Sequence, residues 1–380
     1  MQNYVEAKIG EFGEKLIDQR AVLSKLSASG AHPVLVTQLI GICDESDRLI
    51  QRARITLALN LPLLLRRLQI DLSQIRAKLD RIEEFYLPAL LHEGDEERAV
   101  GRVLDQVLAK LRVPKMADKI VSFGRPLSIY PAFPECPVFF MLRYTPSCLL
   151  EWTGIYHEIG HTIYNRFPEL RTNLAKTVIA YCQNQQLQTP ALSASQLNSR
   201  AERLRKVVRY WDPYRLAELF CDVFGTVVAG PAHLLSWVDL AVISQEDPYR
   251  IDLADEHPPN AARTHACMLA LDDAYADSPL RRAIGNVWDT FIANRPQPPL
   301  FSQMCPFPLL LSLVQTARAE IARHNIPTFR TILPSPPESL EYDNIDDLQM
   351  VVNVASVNMM FAPAQYSQWQ KRINSEIQSL

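Results

Sequence analysis

The run His157-Glu158-Ile159-Gly160-His161 constrains this chain more than any other five residues in it. Residues four apart share a face on an α-helix, so two imidazoles at this spacing can serve one centre if the segment is helical. On such a face they can grip one divalent cation while Glu158 reaches a water on it. The flanks agree with a helix. Thr145-Pro146-Ser147 supplies an extended residue, a proline and a capping hydroxyl. An apolar-periodic run then leads from Cys148 to Phe167-Pro168, a helix of about five turns. Leu150, Ile155, Ile159, Ile163 and Tyr164 would bury most of it. A histidine on an apolar helix face is ordinarily a satisfied core residue. Two imidazoles and a carboxylate within two turns, however, are costly to desolvate without a shared partner, and a metal ion is the simplest one.

Catalytic zinc keeps three protein ligands and one open position, so a third ligand is needed. Between Tyr210 and Gly225, Asp212 reads as an N-cap and Pro213 as the first residue of a strongly apolar helix. Glu218 and Asp222 lie four apart within it. Carboxylates in such a body are rarely buried unless paired or metal-bound, which makes these two the candidates for a ligand and its supporting carboxylate. The plainer alternative is a solvated stripe on an amphipathic helix. Further on, the pair Pro258-Pro259 holds His257 in stiff, extended backbone and opens a helix that carries Arg263 one turn in. Taken alone, that element reads as a helix-entry loop.

In this order, HExxH, ExxxD and HPPxxxR resemble the zinc peptidases of the HtpX and CAAX prenyl protease type. That branch of the gluzincins reads HExxH, ExxAD and a later HP with a basic residue. The resemblance spans roughly residues 137 to 270. It implies His157, His161 and Glu218 as ligands of Zn2+, Glu158 as general base and acid, and Asp222 as the carboxylate that orients an imidazole. His257 would face the metal, either as donor to the oxyanion or in the open metal position, holding the site off. Arg263, Tyr210 and Tyr214 are the other candidate donors. Cys221 stands where the pattern has alanine, the membrane-spanning helices of the best-known members are absent, and the step from His161 to Glu218 is long. The spacer, about 170 to 209, reads as helix interrupted at Thr189-Pro190, after which Ser193 or Ser195 caps a segment bearing Arg200, Arg203, Arg205, Lys206 and Arg209. Its basic face is most simply solvated, and otherwise serves a lid or a substrate-recognition element.

The implied chemistry is hydrolysis by a metal-activated water, with Glu158 taking its proton and passing it to the leaving amine. Residues 120–123, 127–130 and 138–144 are short β-rich runs that suggest a small sheet. By the resemblance, the last of them is the edge strand beside the metal helix. Edge pairing reads backbone, which favours a protein or peptide substrate.

The expected fold is therefore mainly α with a small β-sheet (α+β). A gluzincin-like metallopeptidase core at 118–295 would be flanked by helical regions at 1–117 and 296–380. Val5 to Leu26, Leu35 to Leu57 and Val100 to Leu111 carry helical apolar spacing, and charged faces such as Arg76 to Glu84 are solvated or else meet a regulatory protein partner. Proline-rich connectors lie at 294–299 and 333–337. A net charge of -3 gives no reason to expect nucleic acid. The longest apolar run, Leu57 to Leu65, is broken by Asn60 and Pro62, too short for a membrane span. No basic start precedes an apolar core at Met1-Gln2-Asn3, and the 7 cysteines form no CxxC, so a soluble cytoplasmic protein is expected. The expected function is a zinc-dependent endopeptidase. The alternative is a helical interaction protein with a structural or inactive zinc site.

Overall fold

The computed structural model of the chain describes residues 2–59, 64–91, 94–113, 120–123, 128–130, 138–141, 148–187, 194–331, 333 and 347–379. They form a mainly α structure with one small sheet, and fall into two compact units.

The first unit takes in Met1–Gly101 and Lys115–Leu142. Its helices α1 (Gln2–Ser29) and α2 (Pro33–Ala58) meet at a turn in which Gly30 and His32 both take positive φ, and α3 (Leu65–Arg81) packs on both. Ile9, Phe12 and Leu16 on α1 and Leu35, Leu39 and Cys43 on α2, repeated at three- and four-residue steps, fill the space between them. Asp71 is wholly buried on α3, and Arg52 answers its charge with a two-pronged bond at 2.6 and 2.8 Å. A π-turn over Ile82–Tyr86 leads from α3 into α4 (Leu87–Leu91). Pro88 explains it, because proline has no N–H to return to the carbonyl four residues back and the helical ladder must loosen there. Helix α5 (Asp95–Lys110) starts in this unit and continues into the second.

The sheet also belongs to the first unit. Strands β1 (Ile120–Phe123), β2 (Ser128–Tyr130) and β3 (Val138–Met141) lie in the order β1-β3-β2, with Val138 opposite Ile120 in a parallel pair and opposite Tyr130 in an antiparallel one. All of β3 is buried, and Phe140 meets Phe85 edge-on at 6.0 Å. This corrects the reading of 138–144 as an edge strand beside the metal helix. β3 is bonded on both sides and has no edge to offer a substrate, and its continuous apolar run is what a central strand needs. Residues 142–144 lie outside those described.

The second unit takes in Arg102–Pro114 and Arg143–Leu380. Its helices are α6 (Gly154–Arg166), α7 (Pro168–Leu187), α8 (Ala194–Tyr210), α9 (Pro213–Ala229), α10 (Pro231–Ser244), α11 (Asn260–Tyr275), α12 (Pro279–Ile292), α13 (Pro299–Met304), α14 (Phe307–Arg323), α15 (Leu348–Phe361) and α16 (Pro363–Ser379). Several begin on proline, whose fixed φ suits the first helical position and whose missing N–H costs nothing there. Helix α9 is apolar almost all round and is the hub, packing on α6, α7, α10, α11, α14 and α15. Trp152, Tyr156, Phe220, Phe224 and Trp288 are fully buried in this unit.

The partition also differs from the three-part division expected. The strands group with the N-terminal helices, and the helices after residue 296 share a core with α9. The helix that carries His157 and His161 is shorter than the five turns expected. A 3-10 turn at Glu151–Thr153, braced by Thr153 Oγ1 on the Leu150 carbonyl at 2.8 Å, precedes the 13 residues of α6. The expected caps Ser147 and Ser193 and the break at Thr189-Pro190 lie outside the described residues. Among the described residues no helix is long and apolar enough to cross a membrane.

Candidate metal centre

The centre begins with a close crossing of α6 and α9. A Cβ on Gly160 would lie 3.0 Å from the Cys221 Cα, so only glycine lets the two backbones approach this far. Tyr164 adds a tie, donating from its hydroxyl to the Pro213 carbonyl at 3.1 Å. Asp212 caps α9 as the sequence suggests, accepting from the N–H groups of Tyr214 and Arg215. At this crossing Glu218 meets both imidazoles. Its Oε1 lies 3.2 Å from His161 Nε2 and its Oε2 lies 3.3 Å from His157 Nε2.

Behind His157 stands Asp222, with Oδ1 3.0 Å from Nδ1 and no exposure at all. A carboxylate at Nδ1 fixes that nitrogen as the donor and leaves Nε2 free for a cation. Arg263, from α11, clamps Asp222 with Nε to Oδ2 at 2.6 Å and Nη2 to Oδ1 at 2.8 Å. The same Nη2 lies 3.5 Å from Glu218 Oε2, and Trp237 covers the guanidinium face at 3.9 Å. Arg263 is therefore occupied in holding two carboxylates, and does not present itself as a donor to substrate.

His257 comes to the same carboxylate from the loop before α11, its Nε2 3.4 Å from Glu218 Oε2. Asp255 Oδ1 takes both its Nδ1, at 2.7 Å, and its backbone N–H, at 2.9 Å. Its side chain is 51% exposed, the most open member of the group. The other candidate donors fare differently. The Tyr210 ring lies against the Arg215 guanidinium at 4.8 Å, and Tyr214 is exposed. Neither hydroxyl is bonded to Glu218.

Glu158 is buried one residue beyond His157, close enough for its charge to act on both His157 and Cys221. Burial works against charge on His157, Glu218 and Asp222, yet the cluster overrides it. Hydrogen bonds to Asp222 and Glu218 outweigh desolvation and raise the His157 pKa to about 10. Desolvation would raise Glu218 and Asp222, but the histidines and Arg263 hold both well below the usual carboxylate range. A cation seated between the imidazoles and Glu218 would take the place of the proton that this cluster favours on His157.

Other donor sets exist here. The donor atoms of His157, His161 and Cys221 lie within 4.8 Å of one another, as do those of His157, Asp222 and His233. Cys221 is fully buried, and burial first, then the three carboxylates, push its thiol well above the ordinary range. In the second set, Arg263 already occupies Asp222. Glu218, ionised and facing both Nε2 atoms, is the better third donor, and imidazole, imidazole and carboxylate suit zinc.

All the residues singled out from the motifs thus meet in one place. The sequence reading missed His233, which stacks on His157 at 6.4 Å and is kept neutral by burial with a pKa lowered to about 4, and Trp237. No spacing announced either. It also missed the role of Asp255, although an aspartate two residues before a histidine is the signal of a side-chain-capped turn. Comparison with protein-family models, with curated proteins and with solved structures finds no match, so the reading of this centre rests on its own geometry.

Proposed function

We propose that the chain is a zinc-dependent endopeptidase acting on peptide bonds of a protein substrate, of the gluzincin kind that its motif order resembles. The observation that carries this is the convergence of His157 and His161 on Glu218, with Asp222 and Arg263 braced behind them and Glu158 alongside. When bound, zinc would lower the pKa of a water and polarise the scissile carbonyl. Glu158 takes a proton from the attacking water and delivers it to the leaving amine. His257, its Nδ1 held by Asp255, turns Nε2 toward the oxygen that gains charge. Asp222 and Arg263 keep His157 and Glu218 from reorienting as that charge develops. The described cysteines are all unpaired, which supports a reducing compartment such as the cytoplasm.

A second reading, a zinc site held for structure or kept inactive, draws on one distance. His257 Nε2 lies as near to Glu218 as His157 Nε2 does, so it could close the centre as a fourth ligand. The buried Glu158 favours the first reading, because a structural site has no use for a proton acceptor beside it. The test compares cleavage of a proteome by the wild type and by Glu158→Gln. Glutamine is nearly isosteric but accepts no proton, so fold and zinc persist while hydrolysis falls by roughly 10²- to 10⁴-fold. Equal cleavage by the two proteins would remove the proposal.

A further inference from the structure

Residues 245–259 join α10 to α11 without helix or strand, yet they carry Asp255 and His257. A stretch of that kind holds a side chain in one orientation only if something fixes its backbone. Here the fixing group is a buried cation. Arg215, 4% exposed in the first turn of α9, donates from Nη2 to the carbonyls of Asp252 at 3.1 Å, Leu253 at 3.0 Å and Asp255. Its Nη1 donates to Asp212 Oδ2 at 2.6 Å and to the Tyr210 carbonyl at 3.3 Å. Asp212 is itself fixed, because its other oxygen caps α9. Arg215 stands one turn before Glu218 on the same helix, so the loop and the carboxylate are tied to one rigid element.

We propose that Arg215 is the positioning residue for His257. By gathering the carbonyls of 252, 253 and 255 it sets the backbone of Asp255, whose side chain in turn aims the His257 imidazole at Glu218. Arg215 touches neither substrate nor metal in this scheme and acts only through the loop. The inference rests on the reading of His257 as the group that meets the substrate carbonyl.

The experiment uses the full-length, zinc-loaded chain carrying Arg215→Lys or Arg215→Met, each with and without His257→Ala. Lysine keeps the charge but cannot span three carbonyls and a carboxylate as a planar fork does. Three readouts are taken: amide exchange over 249–258, the ring nitrogen shifts of His257, and kcat and KM on a cleaved peptide. In the Arg215 variants, exchange in the loop should rise about tenfold or more while α6 and α9 stay protected. The His257 ring-nitrogen shifts should lose the signature of the hydrogen bond to Asp255, and kcat should fall by roughly 10- to 100-fold with KM little changed. Adding His257→Ala should then cost nothing further, since the arginine acts through that ring. Unchanged loop exchange, or losses that multiply in the double variants, would overturn the proposal. If Arg215→Met does not fold, Arg215→Lys decides by the same criteria. Exchange and ring shifts are read without turnover, so a protein that cleaves no peptide at all would count against the peptidase reading and leave this test intact.

Discussion

Glu218 faces three imidazoles and a guanidinium at once, and only Arg263 among them is permanently charged. That crowding makes Asp222 the most informative residue to change. Asp222→Asn removes the charge that Arg263 clamps and weakens the hold on His157 Nδ1. Zinc affinity should fall about 10- to 100-fold by chelator competition. Stability in urea should drop by roughly 3 kcal/mol, because the guanidinium is left buried with a weaker partner. Affinity within a factor of two of wild type would show that the brace is incidental. His257→Ala separates the two roles open to that ring. As an oxyanion donor its loss should lower turnover ~100-fold with zinc retained, whereas as a fourth ligand its loss should raise activity. Half-exposed on a loop rather than enclosed with the other imidazoles, it is expected to take the first role, and a rise in turnover would reverse the assignment. At this scale, His157, His161, Glu218 and Asp222 were legible because helical periodicity puts residues four apart on one face. His233 and Trp237 were not, since they reach the centre through the packing of α10, which no local pattern encodes.

At the scale of elements, the centre depends on how closely α6 and α9 cross. Gly160→Ala gains about 1 kcal/mol of helix propensity but places a Cβ against the Cys221 backbone, and overpacking of this kind costs ~1–3 kcal/mol. A net loss of stability together with weaker zinc binding is expected, because the helices must part where the imidazoles meet Glu218. Gly41→Ala, whose Cβ meets nothing within 4 Å on α2, serves as the control and should gain stability by ~1 kcal/mol. Denaturation midpoints of the two variants check the pair, and a stabilised Gly160→Ala that binds zinc normally would contradict the close-crossing argument. Helix starts were readable from proline and aspartate, as Asp212 and Pro213 illustrate. The start of α6 was not, because the apolar period runs on unbroken through the 3-10 turn at Glu151–Thr153. The place of β3 in the sheet was equally hidden, since pairing partners are a tertiary matter that β propensity leaves open.

For the molecule as a whole, the sequence marks punctuation but not which pieces share a core. The change from helical to β-rich runs near residue 117 and the proline-rich connector at 294–299 suggested three regions, whereas the strands share a core with the N-terminal helices and the C-terminal helices share one with α9. The second unit therefore contributes more to the centre than the motif-bearing helices alone, and α14 and α15 help hold α9 in place. Whether this arrangement binds zinc through the three residues assigned is settled most directly by metal content, measured by mass spectrometry on purified wild type, Glu158→Gln, His157→Ala, His161→Ala and Glu218→Ala. About one zinc per chain is expected in the first two proteins and little in the other three, since each ligand lost costs much of the affinity. Full zinc in Glu218→Ala would contradict the assignment and turn attention to Cys221 or to the set of Asp222 and His233.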